Sequence, residues 1–193
     1  MTGIIILAAG ESCRLGEPKQ NLIFQGKTLL QRAIETALSS ACETVLVVLG
    51  ANAELIKPTL QPYKVEVIVN ANWTEGMASS IRAGVEALQR NELIENVLIL
   101  LCDQPFVSLS LINNLLQKQQ DTLKPIVACN YKDTIGVPVI FNRLLFTRLL
   151  LLKGHEGAKK MIAGYPDDVA TVPFDLGTVD IDTVEDYNRL ISQ

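Results

Sequence analysis

The chain is predicted to fold as three α/β layers, with a mixed, mostly parallel sheet between helices on both faces. Two observations predict it. Short apolar runs alternate with segments of helical period along the 193 residues, the pattern of strands joined by helical crossovers. Two of those runs, Ile4–Ala8 and Val97–Leu101, are almost wholly apolar, as expected of strands covered on both faces.

The other strand candidates are Thr44–Leu49, Val65–Val69 and Ile126–Cys129. Leu29, Ala33 and Ala37 recur at helical spacing and predict a helix over Thr28–Ser39. Further helices fit Ala53–Thr59, Ala78–Gln89, Leu109–Gln119, Arg143–Leu151, Gly157–Ala163 and Thr183–Ser192. Asn130–Gly136 is polar and is expected to form a loop over the site. No repeat, low-complexity tract or Pro/Gly/Ser-rich linker divides the chain, so residues 1–193 read as one domain.

Composition narrows the function. Apolar residues make up 48% and charged residues 20%, an ordinary globular balance. A net charge of −4 gives no footprint for nucleic acid. Asp103 interrupts the strongest apolar run, so no membrane span is expected. No basic region precedes an apolar stretch at the N-terminus, so no signal peptide is read there, and the cytoplasm is the expected compartment. Cys13, Cys42, Cys102 and Cys129 lack metal-ligand spacing and read as small packed thiols, Cys13 filling a serine-sized space.

The first strand runs into a small-residue loop, Leu7-Ala8-Ala9-Gly10-Glu11-Ser12, that then delivers Arg14 and Lys19. Small residues let backbone N–H groups approach phosphate oxygens, and the cations neutralise them. Spacing excludes the P-loop, because five residues separate Gly10 from Gly16 and Glu17 follows where lysine is needed. The dinucleotide fingerprint is excluded as well, since Ala8-Ala9-Gly10 offers no third glycine in register.

Asp103 ends the other apolar strand, and Pro105 stops its continuation. Ligands bind beyond the carboxyl ends of strands in open α/β sheets, so Asp103 should stand beside the loop. A carboxylate facing a triphosphate points to Mg²⁺ between them. Ser108 or Ser110 is better placed than Asp103 to cap the helix that follows.

Leu7-Ala8-Ala9-Gly10-x-Ser12-x-Arg14-x-Gly16-x-x-Lys19 resembles the motif of nucleotidyltransferases with the Rossmann-like nucleotide-diphospho-sugar transferase fold. Within them the chain is most similar to the molybdenum-cofactor cytidylyltransferase and molybdopterin-guanine dinucleotide synthase-like family. Four further elements carry the resemblance. Asp180-Ile181-Asp182-Thr183-Val184-Glu185-Asp186 has Val184 where the family has proline. The others are Asn70-x-x-Trp73-x-x-Gly76-Met77-x-x-Ser80, Gly136-x-Pro138-x-x-Phe141, and Gly154-His155-Glu156-Gly157-Ala158-Lys159. In the last, His155 replaces a frequent aspartate and Lys159 an arginine.

The resemblance implies roles. Arg14, Lys19 and Asp103 are the expected catalytic residues. Leu7, Ala8, Ala9, Gly10, Glu11, Ser12, Lys19, Asn70, Ser79 and Ser80 would bind nucleotide, with Trp73 walling the pocket or simply packing. Asp103 and Asp182 would hold Mg²⁺ or Mn²⁺, with Asp180, expected on the opposite face of a strand, as the fallback. Gly136, Pro138, in a supposed edge strand, and Lys159 would meet the acceptor. The N-terminal half would thus bind nucleotide and the C-terminal half the acceptor. The implied reaction moves CMP from CTP onto a phosphorylated pterin-type acceptor and releases pyrophosphate, with a molybdoenzyme as a further partner. Two alternatives stay open: a sugar- or alditol-phosphate nucleotidyltransferase of the same fold, and a non-catalytic nucleotide-binding accessory protein for a molybdoenzyme.

Overall fold

The computed structural model describes residues 1–192. Its strands are β1 (Thr2–Ala8), β2 (Ile23–Phe24), β3 (Lys27–Thr28), β4 (Thr44–Leu49), β5 (Glu66–Val69), β6 (Asn96–Leu101), β7 (Ile126–Tyr131), β8 (Thr134–Asn142) and β9 (Val169–Pro173). The α-helices are α1 (Leu29–Leu38), α2 (Ala53–Ile56), α3 (Met77–Leu88), α4 (Leu109–Thr122), α5 (Phe146–Leu149), α6 (Ala158–Ala163) and α7 (Val184–Ile191). Seven strands form one sheet in the order β5-β4-β1-β6-β8-β7-β9, and β2 and β3 form a separate small hairpin. Only β8 runs against the rest, being antiparallel to both β6 and β7.

Alternation along β1 builds the layers. Ile4, Ile6 and Ala8 pack with Ile34 of α1 and Ile112 of α4, whereas Ile5 and Leu7 pack with Ile81 of α3 and Met161 of α6. Ile4, Ile5 and Ile6 are all fully buried, as their unbroken apolar run requires. β1 pairs in parallel with both β4 and β6, and Leu7 stands opposite Leu101. That register brings the carboxyl ends of β1 and β6 side by side. Helix starts are fixed locally: Thr28 and Gln31 make a reciprocal capping box on α1, and Ser108 caps α4.

A third, smaller core joins Leu15 and Leu22 of the loop after β1 to Phe24, Leu29, Ile181 and Leu190. It ties the C-terminal helix and the segment before it to the N-terminal loop. Among the described residues no helix is long and apolar enough to cross a membrane.

Three expectations change. Asn130–Gly136 is a tight hairpin between β7 and β8 rather than a loop over the site, with Lys132 in the left-handed region at φ 51°. Pro138 lies in an interior strand, not an edge one. It is accommodated because β7 pairs Ala128 with Val139 and then Cys129 with Gly136, so Val137 and Pro138 sit in a bulge where no ladder N–H is needed. β9 was absent from the strand candidates; it is a five-residue edge strand that ends on Pro173.

Candidate active site

The loop after β1 borders a cavity of about 510 Å³ lined by Leu7, Ala8, Ala9, Gly10, Glu11 and Arg14. Its shape is held from behind. Gln20, 1% exposed, donates from Nε2 to the carbonyl of Ala8 at 2.7 Å and that of Gly10 at 3.2 Å. Ser12 does not line the cavity. It takes a left-handed φ of 62°, its carbonyl accepts from the Leu15 N–H, and its Oγ accepts from the Lys19 N–H. A Cβ on Gly10 would meet nothing within 4 Å, so this backbone faces open space.

Lys19, Asp103 and Asp182 converge at the mouth of that loop. Lys19 Nζ donates to Asp103 Oδ2 at 2.5 Å and to Asp182 Oδ1 at 3.0 Å. Arg14 reaches the other oxygen of Asp182 at 3.6 Å. Burial disfavours the Lys19 cation, but the Asp103 charge and the bonds to both carboxylates outweigh it and raise its pKa. Ile181 explains how residue 182 gets there: its side chain is fully buried in the third core, and its N–H donates to the Asp103 carbonyl at 3.2 Å.

Asp180 and Asp182 line the same cavity as Asp103. The expectation that 180 and 182 lie on opposite faces of a strand fails twice over. The segment lies outside the sheet, and Asp180 and Asp182 both line the cavity while Ile181 between them is fully buried. Asp180 is exposed at the cavity mouth, yet the surrounding protein mass and then the Asp103 charge raise its carboxyl to about 6.

A divalent ion fits this donor set. Asp103 Oδ1 is buried and has no hydrogen-bond partner among the described residues. Its neighbour carboxylate shares one ammonium with it, so the two acids reach a common cation position. No group of three or more His, Cys, Asp and Glu among the described residues could hold a metal. Substrate oxygens and water would therefore complete the shell, as is usual for Mg²⁺.

The middle motif divides. Asn70 and Ser79 are buried together: Asn70 Nδ2 donates to Ser79 Oγ at 2.8 Å and to Ser80 Oγ at 3.0 Å, fastening the end of β5 to the first turn of α3. Of these three, only Ser80 lines the cavity, beside Trp73. On the far side, Val137, His155 and Lys159 line a second cavity of about 390 Å³ with Tyr131 and the acids. Of the residues expected at the acceptor, Gly136 packs behind Tyr131 and Pro138 is buried, and neither lines the cavity. Met77 and His155 border both cavities, so the two open into each other. Arg82 locks that border. It grips Glu75 through both nitrogens at 2.9 and 2.6 Å and the Leu152 carbonyl at 2.6 Å. The bond from Arg82 lowers the Glu75 pKa.

The model of the MobA-like NTP transferase domain matches residues 4–172. The chain belongs to this nucleotidyltransferase family. It is 32% identical over 99% of its length to the nicotine blue oxidoreductase of Paenarthrobacter nicotinovorans, covering 96% of that protein. It is 32% identical over 85 residues to the molybdenum cofactor cytidylyltransferase of Escherichia coli, which is 44% of each chain. The crystal structure of Rv0371C from Mycobacterium tuberculosis in complex with manganese superposes with a TM-score of 0.81 at 26% identity, covering 100% of this chain and 98% of that one.

For this MobA-like chain, sequence patterning missed two side chains. Gln20 follows Lys19 directly, and its burial is what shapes the loop. Tyr131 ends a strand and gave no motif. Cys13 corrects an expectation: it is exposed, not packed, and donates to Glu11, whose hydrogen bond raises the thiol pKa. Cys102 and Cys129 are buried as expected, which pushes both thiols up to about 12.

Proposed function

We propose that this protein transfers CMP from CTP to a phosphorylated, pterin-type acceptor and releases pyrophosphate, with Mg²⁺ or Mn²⁺ held by Asp103 and Asp182. The convergence of Lys19, Asp103 and Asp182 at the open end of the Ala8–Gly10 loop carries this reading. The partial likeness to a cytidylyltransferase supports CTP and the pterin-type acceptor, and the manganese complex of a relative supports the ion. Residues 1–193 act as one cytoplasmic domain, nucleotide in the N-terminal half and acceptor in the C-terminal half.

Each residue has a task. Backbone N–H groups around Gly10 meet phosphate oxygens, because nothing blocks their approach. Lys19 draws charge from the leaving pyrophosphate, and Arg14, exposed at the rim, closes over it with a planar fork. Asp103 and Asp182 would hold the ion; when bound, it supplies Lewis-acid polarisation of phosphoryl oxygen. Gln20 keeps the loop in place throughout. No general base is required, since a phosphate nucleophile is already anionic at neutral pH. Lys159 offers a point charge to the acceptor phosphate.

A thermal-shift panel of the four ribonucleoside triphosphates with and without Mg²⁺ tests the donor. Ligand at a hundred times its Kd should stabilise the fold by about 2.7 kcal/mol. Stabilisation by CTP alone, dependent on the ion and lost in Asp103→Ala, is the expected result; equal shifts for all four would contradict it. A second reading follows from the name of the full-length relative, an oxidoreductase. In it the same cleft serves something other than phosphoryl transfer, and pyrophosphate release at background level with every triphosphate, equal in wild type and Asp103→Ala, would favour it.

A further inference from the structure

Tyr131 closes β7 at the inner wall of the second cavity and is 6% exposed. Two glycines make room for it. A Cβ on Gly136 would stand 2.3 Å from the phenol oxygen, and one on Gly177 would stand 2.5 Å from ring atom Cδ1. Phe174 braces the ring edge-on at 6.4 Å and 86°. The ring therefore has one place to be. Its hydroxyl borders the cavity and, among the described residues, takes part in no hydrogen bond. That hydroxyl is not itself sealed off, so it is open to a ligand or water at the cavity. Burial, then the charge of Asp180, then that of Cys129, raise the phenol pKa, so it remains a donor at neutral pH.

Asp180 shares this wall. Lys19 is taken by Asp103 and Asp182, and Asp180 has no ion pair among the described residues. Among the described residues no three acids group to hold a metal together, so Asp180 stands beside the Asp103–Asp182 pair rather than within a triad. Ile81, Ile99, Leu101, Val137 and Ala158 give the wall an apolar stretch, and His155 lies at its border. Lys159 stands nearby, its Cε 3.4 Å from where a Cβ on Gly136 would be.

We propose that Tyr131 and Asp180 form the recognition edge for the acceptor, a flat nitrogen heterocycle lying on the apolar wall. Ring N–H groups donate to the Asp180 carboxylate, and a ring nitrogen or carbonyl accepts from the Tyr131 hydroxyl. The acceptor's phosphate then points toward Lys159 and Lys19. This rests on the nucleotidyltransferase reading above. Discrimination follows from the polar pair: a heterocycle without the matching N–H edge leaves the carboxylate with no partner beyond the Gln104 side chain.

The test is a fluorescence titration of the full chain, preloaded with CTP and Mn²⁺, using pterin and lumazine. These rings differ in an amino group on pterin that lumazine replaces with a carbonyl. Wild type should prefer pterin by about tenfold. Asp180→Asn should weaken pterin about tenfold and erase the preference, whereas Tyr131→Phe should weaken it roughly threefold and keep it. CTP affinity, measured alongside, should not change, and the Tm of Asp180→Asn should not fall, since the replaced carboxylate is disfavoured by burial and by the Asp103 charge. Equal pterin affinity in all three proteins would overturn the proposal, as would loss of CTP binding in Asp180→Asn, which would make Asp180 part of the donor site. CTP binding without pterin binding overturns the acceptor edge and leaves the donor reading intact. Pterin binding that depends on both residues, in a chain that binds no triphosphate, supports the edge and overturns the donor reading.

Discussion

The two ends of the cleft use glycine in opposite ways. At the donor end, a Cβ on Gly10 or Gly16 would meet nothing within 4 Å. At the acceptor end, a Cβ on Gly136, Gly157 or Gly177 would collide with Tyr131 or Met77 at 2.3 to 2.7 Å. Gly76, which lines the first cavity, is the exception on the donor side, tight at 2.5 Å from the Gly154 carbonyl where the two cavities meet. One end leaves room for something from outside. The other leaves room for the protein's own side chains, which then face the ligand. Glycine in a site therefore has two meanings, and the atoms around it decide which applies.

The largest effect expected from breaking this arrangement is at the shared cation position. Asp103→Ala should lower pyrophosphate release by about a thousandfold while CTP binding without metal changes little. Lys19→Met strands the Asp103 side chain, only 13% exposed, without its cation and should cost about 3–5 kcal/mol in denaturant titration. Lys19→Met/Asp103→Leu should recover most of that stability and none of the activity.

The glycine contrast is sharpened by a matched pair. Gly136→Ala should cost about 1–3 kcal/mol, because the methyl group drives into Tyr131, and should spare CTP affinity. Gly10→Ala should stay within about 0.5 kcal/mol of wild type yet weaken CTP about tenfold. Equal stability losses would show that the two glycines are used alike. Next comes Arg14, whose side chain is 69% exposed. Arg14→Ala should leave stability within about 0.5 kcal/mol and weaken CTP severalfold at low salt, with the difference shrinking as salt is added.

The smallest effect is a pH dependence at the border of the cavities. The Glu75 pKa is lowered by the bond from Arg82, so its stabilisation is present above the ordinary carboxylate pKa and is lost as pH falls through the lowered folded value. The Tm gap between wild type and Glu75→Gln should therefore be open at pH 6 and closed near pH 3.

How much of this was legible in the sequence follows from contiguity. The donor loop is one run from Leu7 to Lys19, and β1 and β6 announce themselves as apolar strands that end in the site. Asp103 stands beside the loop, where the end of an apolar strand would bring it, and Ser108 caps the following helix. The acceptor end is assembled from residues near 131, 136, 155, 159, 177 and 180, and no local pattern links them. Pro138 misled because a bulge in an interior strand excuses a missing N–H as well as an edge does. Gln20 and Tyr131 act through burial, which single residues in a string do not reveal. Asp180 and Asp182 were named but misplaced: they were expected on opposite faces of a strand, whereas both line the same cavity and Ile181 between them is buried.

The most direct measurement is the anomalous difference map of a crystal grown with CTP and Mn²⁺. A manganese peak bonded to carboxylate oxygens of both Asp103 and Asp182, with the triphosphate lying along Ala9 and Gly10, is the expected result. A peak away from either carboxylate, or a triphosphate bound outside the N-terminal loop, would contradict it.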